Sequence, residues 1–169
     1  MPNVIVVRNN YPDSASLMRV IDYVQRSQMG GGYAIDPAFA FPQMMLVKKA
    51  FHKTRGLQLK HFVISFTNDE MGVLDFDDLL NLGFQIGILF QEYQMIYNIH
   101  LDSEHVHLHF IMNTVSFWDG HKYSDGFVGF RKIRNFLLDH FPQFHSDIFL
   151  SDRYDELHPY KTDKMNVFE

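Results

Sequence analysis

Four of the chain's ten histidines, His100, His105, His107 and His109, fall in one short stretch, and no other feature constrains the fold as tightly. From His105 to Asn113, the apolar residues Val106, Leu108, Phe110 and Met112 alternate with the histidines. This is the period of two expected of a half-buried β-strand. The preceding run also alternates, with Met95, Tyr97, Ile99 and Leu101 on one side and Ile96, Asn98 and His100 on the other. Asp102-Ser103-Glu104-His105 then supplies a turn. A turn of that length puts Leu101 opposite Val106, His100 opposite His107 and Asn98 opposite His109. Directly opposed Cβ atoms lie about 4.5–5.5 Å apart, so His100, His107 and His109 are predicted to converge on one face. Three imidazoles with an open position are the composition of a catalytic metal site, since structural sites fill every position with protein ligands. The plainer alternative is a solvent-facing strand that needs polar residues. His105, at the turn, is a second-choice ligand.

The pattern His100-x-Asp102-x-x-His105-x-His107-x-His109, followed by Asn113, resembles the third motif of the relaxases, HUH endonucleases that nick plasmids and conjugative elements. The resemblance implies that His100, His107 and His109 bind a divalent metal and that Asp102 holds a ligand imidazole. Tyr23, in Val20-Ile21-Asp22-Tyr23-Val24, resembles the first motif, which implies that it is the nucleophile; simple packing beside Val20 and Val24 is the alternative. Tyr11 and Tyr33 are further candidates. Many relatives carry Lys-Thr a few residues after this tyrosine, whereas here the chain reads Gln25-Arg26-Ser27-Gln28. His61, Ser65-Phe66 and Glu70 resemble the second motif, whose serine contacts DNA near the nick, and strand parity puts His61 and Ser65 on the imidazole face. The resemblance covers roughly residues 4 to 125. It implies an HUH fold with a ferredoxin- or RRM-like palm, single-stranded DNA at a transfer origin as substrate, and Mg or Mn for turnover. Relaxosome accessory proteins and a coupling protein are the implied partners. All-imidazole ligation itself suits Zn, Ni or Co, so one of these is expected in purified protein.

The 46% hydrophobic content and 17 Phe of this 169-residue chain predict a single domain with a substantial core, residues 3–141, and a tail, 142–169, that resists assignment. No apolar run reaches the roughly 20 residues of a bilayer span. There is no cysteine, which suits a reducing cytoplasm, the expected location. The net charge of -5 opposes nucleic-acid binding on its face. Its distribution is uneven, however: no acidic residue lies between Asp36 and Asp69, where Lys48, Lys49, Lys53, Arg55 and Lys60 cluster. These five, with His61, Ser65, His105 and Asn113, are the predicted DNA contacts.

The periodicities predict strands near residues 3–8, 59–66, 93–101 and 105–113. Helices are expected near 13–28, 43–53, 75–90 and 126–140, with residues 30–42 irregular because they hold three glycines and two prolines. Gly83 and Gly87, one turn apart, predict close packing of the third helix, and Asp119-Gly120 predicts a tight hairpin. The order predicts an α+β fold, an antiparallel sheet with helices on one face and the imidazoles on the other, open to DNA. Two functions compete with strand transfer. A rolling-circle replication initiator is similar at the histidine pair but carries its tyrosine on a later helix, for which Tyr123, Tyr154 and Tyr160 are the candidates. A non-catalytic DNA- or partner-binding domain is favoured by the acidic charge and by the sequence after Tyr23.

Overall fold

A computed structural model describes residues 2–101, 104–124, 126–151 and 162–164. The alternating stretches form strands β1 (Asn3–Val7), β3 (Leu59–Phe66), β4 (Met95–His100) and β5 (Val106–Asn113), joined by β2 (Gly30–Tyr33), β6 (Ile148–Ser151) and β7 (Thr162–Lys164). They make one seven-stranded sheet in the order β2-β4-β5-β3-β1-β6-β7. Every pairing is antiparallel except β1 with β6. The helices are α1 (Ser14–Val24), α2 (Ala40–Ala50), the single turn α3 (Asn68–Met71), α4 (Phe76–Leu89) and α5 (Phe127–His140). Start signals hold where side chains cap free backbone N–H groups: Asp13 accepts from Ser16 N at 2.7 Å, and Asp75 and Asp78 form a reciprocal capping box.

The α+β class is the one expected, and the layering adds to it. Alternation along β3, β4 and β5 sends Phe62, Phe66, Tyr97, Leu108 and Phe110 to a core closed by Leu79 and Ile86 of α4 and Phe130 and Ile133 of α5. The opposite face is not open. Leu59, Ile96 and Ile111 pack there against Leu17, Val20, Ile21 and Val24 of α1 and Met44 of α2. The expectation of helices on one face is corrected here, because α1 carries a long apolar stripe that has to be buried against something. The imidazoles consequently sit between sheet and helix.

A second correction concerns residues 30–42, whose first four residues form edge strand β2, paired to β4 with Gly31 opposite Tyr97. Glycine is required there by proximity: a Cβ on Gly31 would lie 2.5 Å from the Tyr97 hydroxyl oxygen. Against the same ring, a Cβ on Gly83 would lie 2.3 Å from Tyr97 Cδ2, the close packing predicted for α4. Val115 bridges Lys122, so Asp119-Gly120 lies in a six-residue connection, residues 116–121, and not in the tight hairpin expected. Among the described residues, no helix is long and apolar enough to cross a membrane.

Candidate functional site

The β4–β5 register places His100 opposite His107 and Asn98 opposite His109, as the hairpin pattern predicts. On the other flank of β5, Ser65 pairs with His107, which brings the second-motif serine beside the cluster. The rings of His100 and His109 are 4.2 Å apart between centroids, and those of His107 and His109 are 6.0 Å apart. Tyr23, in the last turn of α1, meets both: its ring lies 5.6 Å from His100 and 5.8 Å from His109, edge-on in each case. Of the other candidate tyrosines, Tyr11 is buried with its hydroxyl 3.5 Å from His61 Nδ1, at the edge of the cluster, and the other described ones lie elsewhere. Tyr33 donates its hydroxyl to Gln91 O at the sheet edge, and Tyr123 packs on Phe90 and Tyr93 in the core under α5. Tyr154 and Tyr160, and Asp102 with its expected role, lie outside the described residues.

The cluster is interior: His100 is 2% exposed, His107 7% and His109 0%. Hydrogen bonds assign the protons. His100 Nε2 lies 2.7 Å from the Val24 carbonyl oxygen, which can only accept, so Nε2 carries hydrogen and Nδ1 is the nitrogen left to act as a ligand. His61 Nε2 lies 3.1 Å from His109 Nδ1, and His61 Nδ1 lies 3.5 Å from the Tyr11 hydroxyl. His109 Nε2 is buried without a hydrogen-bond partner. An orphaned N–H is the rarer and costlier arrangement, so His109 donates from Nδ1 to His61 and keeps a lone pair on Nε2. Burial first, and then the neighbouring His61, His100, His107 and Arg26, hold His109 neutral well below the usual histidine range. Burial, with His100 beside it, depresses His61 to about 3.

A neutral imidazole with a lone pair on one nitrogen and a partner on the other, as at His109, is the chemistry a metal ligand requires. The orphaned His109 Nε2 therefore fits such an ion. Gathering the ligands takes some side-chain rotation. The described set whose ligand atoms all lie within 4.8 Å of one another is a different one, Glu92, Asp119 and His121, near the Asp119-Gly120 turn.

Several predicted DNA contacts are corrected. Lys48 is 0% exposed and donates Nζ to Gln58 O at 2.7 Å; burial, then Lys122, lowers its amine to about 7. Asn113 is buried and donates to Gln94 Oε1 at 3.0 Å. His61 is buried against His109, a partner of the imidazole cluster and not a surface group. Strand parity alone placed it on the right face; its partner needed the fold. Lys60 is half-buried and belongs to the opposite face, opposite Met112. Lys49, Lys53, Arg55 and His105 are exposed. The loop with Lys53 and Arg55 lies near the Asn113 end of β5, where Lys122 Nζ donates to Arg55 O. That end is on the order of 20 Å along the strand from His107, at 3.3 Å per residue.

Beside the histidines opens a cleft of about 540 Å³, lined by Arg26, Ser27, Met29, His100 and Leu101. Sequence comparison gives a match to the family model "Relaxase: MobA/VirD2-like, nuclease domain" over residues 22–139, a span from Tyr23 through the histidine hairpin to α5. Searches of curated proteins and of solved structures each returned no match.

Proposed function

Because the chain belongs to the MobA/VirD2-like relaxase nuclease family, we propose that it nicks single-stranded DNA and transfers the strand, with Tyr23 as nucleophile. The observation that carries this reading is the seat of Tyr23, edge-on against both His100 and His109 at the end of α1. In the proposed reaction the Tyr23 hydroxyl loses its proton and its oxygen bonds to phosphorus. The P–O3′ bond breaks, and the departing 3′ oxygen takes up a proton. The 5′-phosphate stays joined to Tyr23, so one phosphodiester replaces another and the step can run backwards to reseal the strand.

His100 through Nδ1, His109 through Nε2 and His107 would hold a divalent ion. When bound, that ion supplies Lewis-acid stabilisation of charge on the non-bridging phosphate oxygens, with Mg or Mn supporting turnover. The Val24 carbonyl and His61 orient the His100 and His109 rings through their other nitrogens. Ser65 and His105 contact DNA near the scissile bond, and Lys49, Lys53 and Arg55 track the strand farther off. The same reading assigns the substrate to the transfer origin of a plasmid or conjugative element. Relaxosome accessory proteins and a coupling protein are its partners, and the cytoplasm its compartment. A replication initiator is disfavoured because α5 contains no tyrosine and packs under the other face of the sheet.

The test uses a pool of random single-stranded oligonucleotides labelled at the 3′ end, incubated with Mg or with Mn. An adduct that survives denaturing electrophoresis is expected from the wild type and not from Tyr23→Phe. An adduct that persists in Tyr23→Phe rejects the nucleophile. No adduct from the wild type with either ion favours the non-catalytic DNA-binding domain.

A further inference from the structure

Trp118, the only tryptophan in the sequence, is 58% exposed. It stands in the connection 116–121, which its own hydrogen bonds hold in one shape. Ser116 Oγ accepts from Trp118 N at 3.1 Å and from Asp119 N at 3.4 Å, Gly120 N donates to Ser116 O at 3.0 Å, and Phe117 N donates to Glu92 O at 3.0 Å. Gly120 has φ +77°, and a Cβ there would lie 2.3 Å from Phe51 Cδ1, so the connection packs by its backbone on the residue that ends α2. The Phe117 ring meets the indole at 6.2 Å, nearly perpendicular.

The loop beside this connection is basic. Lys122 donates Nζ to Arg55 O and Leu57 O, which ties the connection to the loop after α2. Burial, and then Lys53, lower the Lys122 amine, so Lys53 stands close by. Lys49, Lys53 and Arg55 are exposed. The carboxylates that adjoin the connection, Glu92 and Asp119, are engaged by His121 at 3.3 Å and 2.5 Å.

Cations beside an exposed aromatic ring are the chemistry that holds a single nucleic-acid strand, because charge follows the phosphates while the ring stacks on a base. A duplex offers no such base, since its own are already stacked. From these observations, and resting on the strand-transfer reading above, we propose that Trp118 stacks on a base of single-stranded DNA whose phosphates run along Lys53 and Arg55. The connection is already ordered, so little conformational freedom is lost when the base arrives. It adjoins the Asn113 end of β5 and holds the strand at a point remote from Tyr23.

Because the chain has one tryptophan, intrinsic fluorescence reports this contact alone. Titration with oligothymidylate should quench the emission to a plateau, and the duplex with oligoadenylate should not. In anisotropy with a labelled oligothymidylate, Trp118→Ala should bind roughly tenfold more weakly than wild type, the loss of one stacked base. On an abasic strand of the same length the two proteins should bind alike, since the phosphates remain and the bases are gone. Lys53→Ala combined with Arg55→Ala should lower the slope of log affinity against log salt by about 1.4, from two phosphate contacts at about 0.7 each. Trp118→Ala should keep the wild-type slope. Tyr23→Phe is expected to retain the quench while losing the adduct, so a failed nucleophile and a failed stack give different results. The proposal is overturned if saturating oligothymidylate leaves the emission unchanged, if the duplex quenches equally, or if Trp118→Ala binds as tightly as wild type. A loss equally large on the abasic strand, a double variant with the wild-type slope, or a wild type that does not bind the oligonucleotide would overturn it too.

Discussion

The two faces of the central strands are built from alternate residues of the same segments, yet they follow opposite rules. Under α4 and α5 the face is hydrocarbon: Phe62 stacks on Phe110 at 4.7 Å, nearly parallel, and Phe90 and Phe130 close around them. Under α1 and α2 the same strands bury His61, His100, His107, His109 and Asn113. The first face gains stability from area removed from water. The second keeps part of that gain at Leu59, Ile96 and Ile111 and gives up the rest, because each buried polar group needs a partner to break even. What it obtains is orientation: the rings of His61, His100 and His109 are held by hydrogen bonds that fix which nitrogen points where. The difference shows a sheet in which one face is given wholly to apolar packing and the other divides its area between apolar packing and oriented polar groups.

The sharpest way to break this division is Phe110→Ala. Removing a stacked ring from the apolar face is expected to cost about 3–5 kcal/mol in urea unfolding, enough to unfold a marginal domain. A loss below 1 kcal/mol would show that this face is not the main source of stability.

On the polar face, His61→Leu should cost about 1–3 kcal/mol, because it strands the His109 Nδ1 donor. The double variant His61→Leu with His109→Leu should recover most of that loss, since both partners become apolar. A double-mutant cycle with no coupling would mean that the 3.1 Å contact is incidental. The same pair sets an acid limit. An unfolded histidine binds its proton near 6.5, whereas folded His61 does so only at about 3. The unfolded state therefore holds more protons between those values, and stability falls as pH drops through that window. The double leucine variant should flatten that dependence in chemical denaturation.

Lys48 has the same sign at higher pH. Its folded amine titrates at about 7 against 10.5 for the unfolded chain, so below 7 both states are charged and its burial penalty is present in full. Stability should rise by roughly 2 kcal/mol between pH 7 and 9 as the folded amine loses its proton. Lys48→Met should abolish that rise; an unchanged profile would mean the amine reaches water. The smallest effect is expected at the exposed pair Lys53→Ala and Arg55→Ala, within about 0.5 kcal/mol of wild type in stability. A larger change would mean that the loop near Lys122 is structural and not merely a charged surface.

The sequence alone determined the hairpin, its register and the grouping of three imidazoles, because a period of two and a short turn are local properties of the chain. It also placed Tyr23 on a helix and Ser65 and His61 on the imidazole face, since parity along a strand needs no tertiary information. Tertiary structure alone decided what covers that face. The basic run 48–60 looked like one surface, but helix α2 turns Lys48 inward onto Gln58 O and the strand turns Lys60 to the other side. The glycines of β2 read as a loop because what Gly30 and Gly31 must leave room for, Asn98 and Tyr97, lies on a strand more than sixty residues away. The His61 to His109 bond and the stack of Arg26 on Tyr23 likewise join segments distant in sequence or turned by a helix end. Periodicity reports which way a side chain points; only packing determines what it meets there.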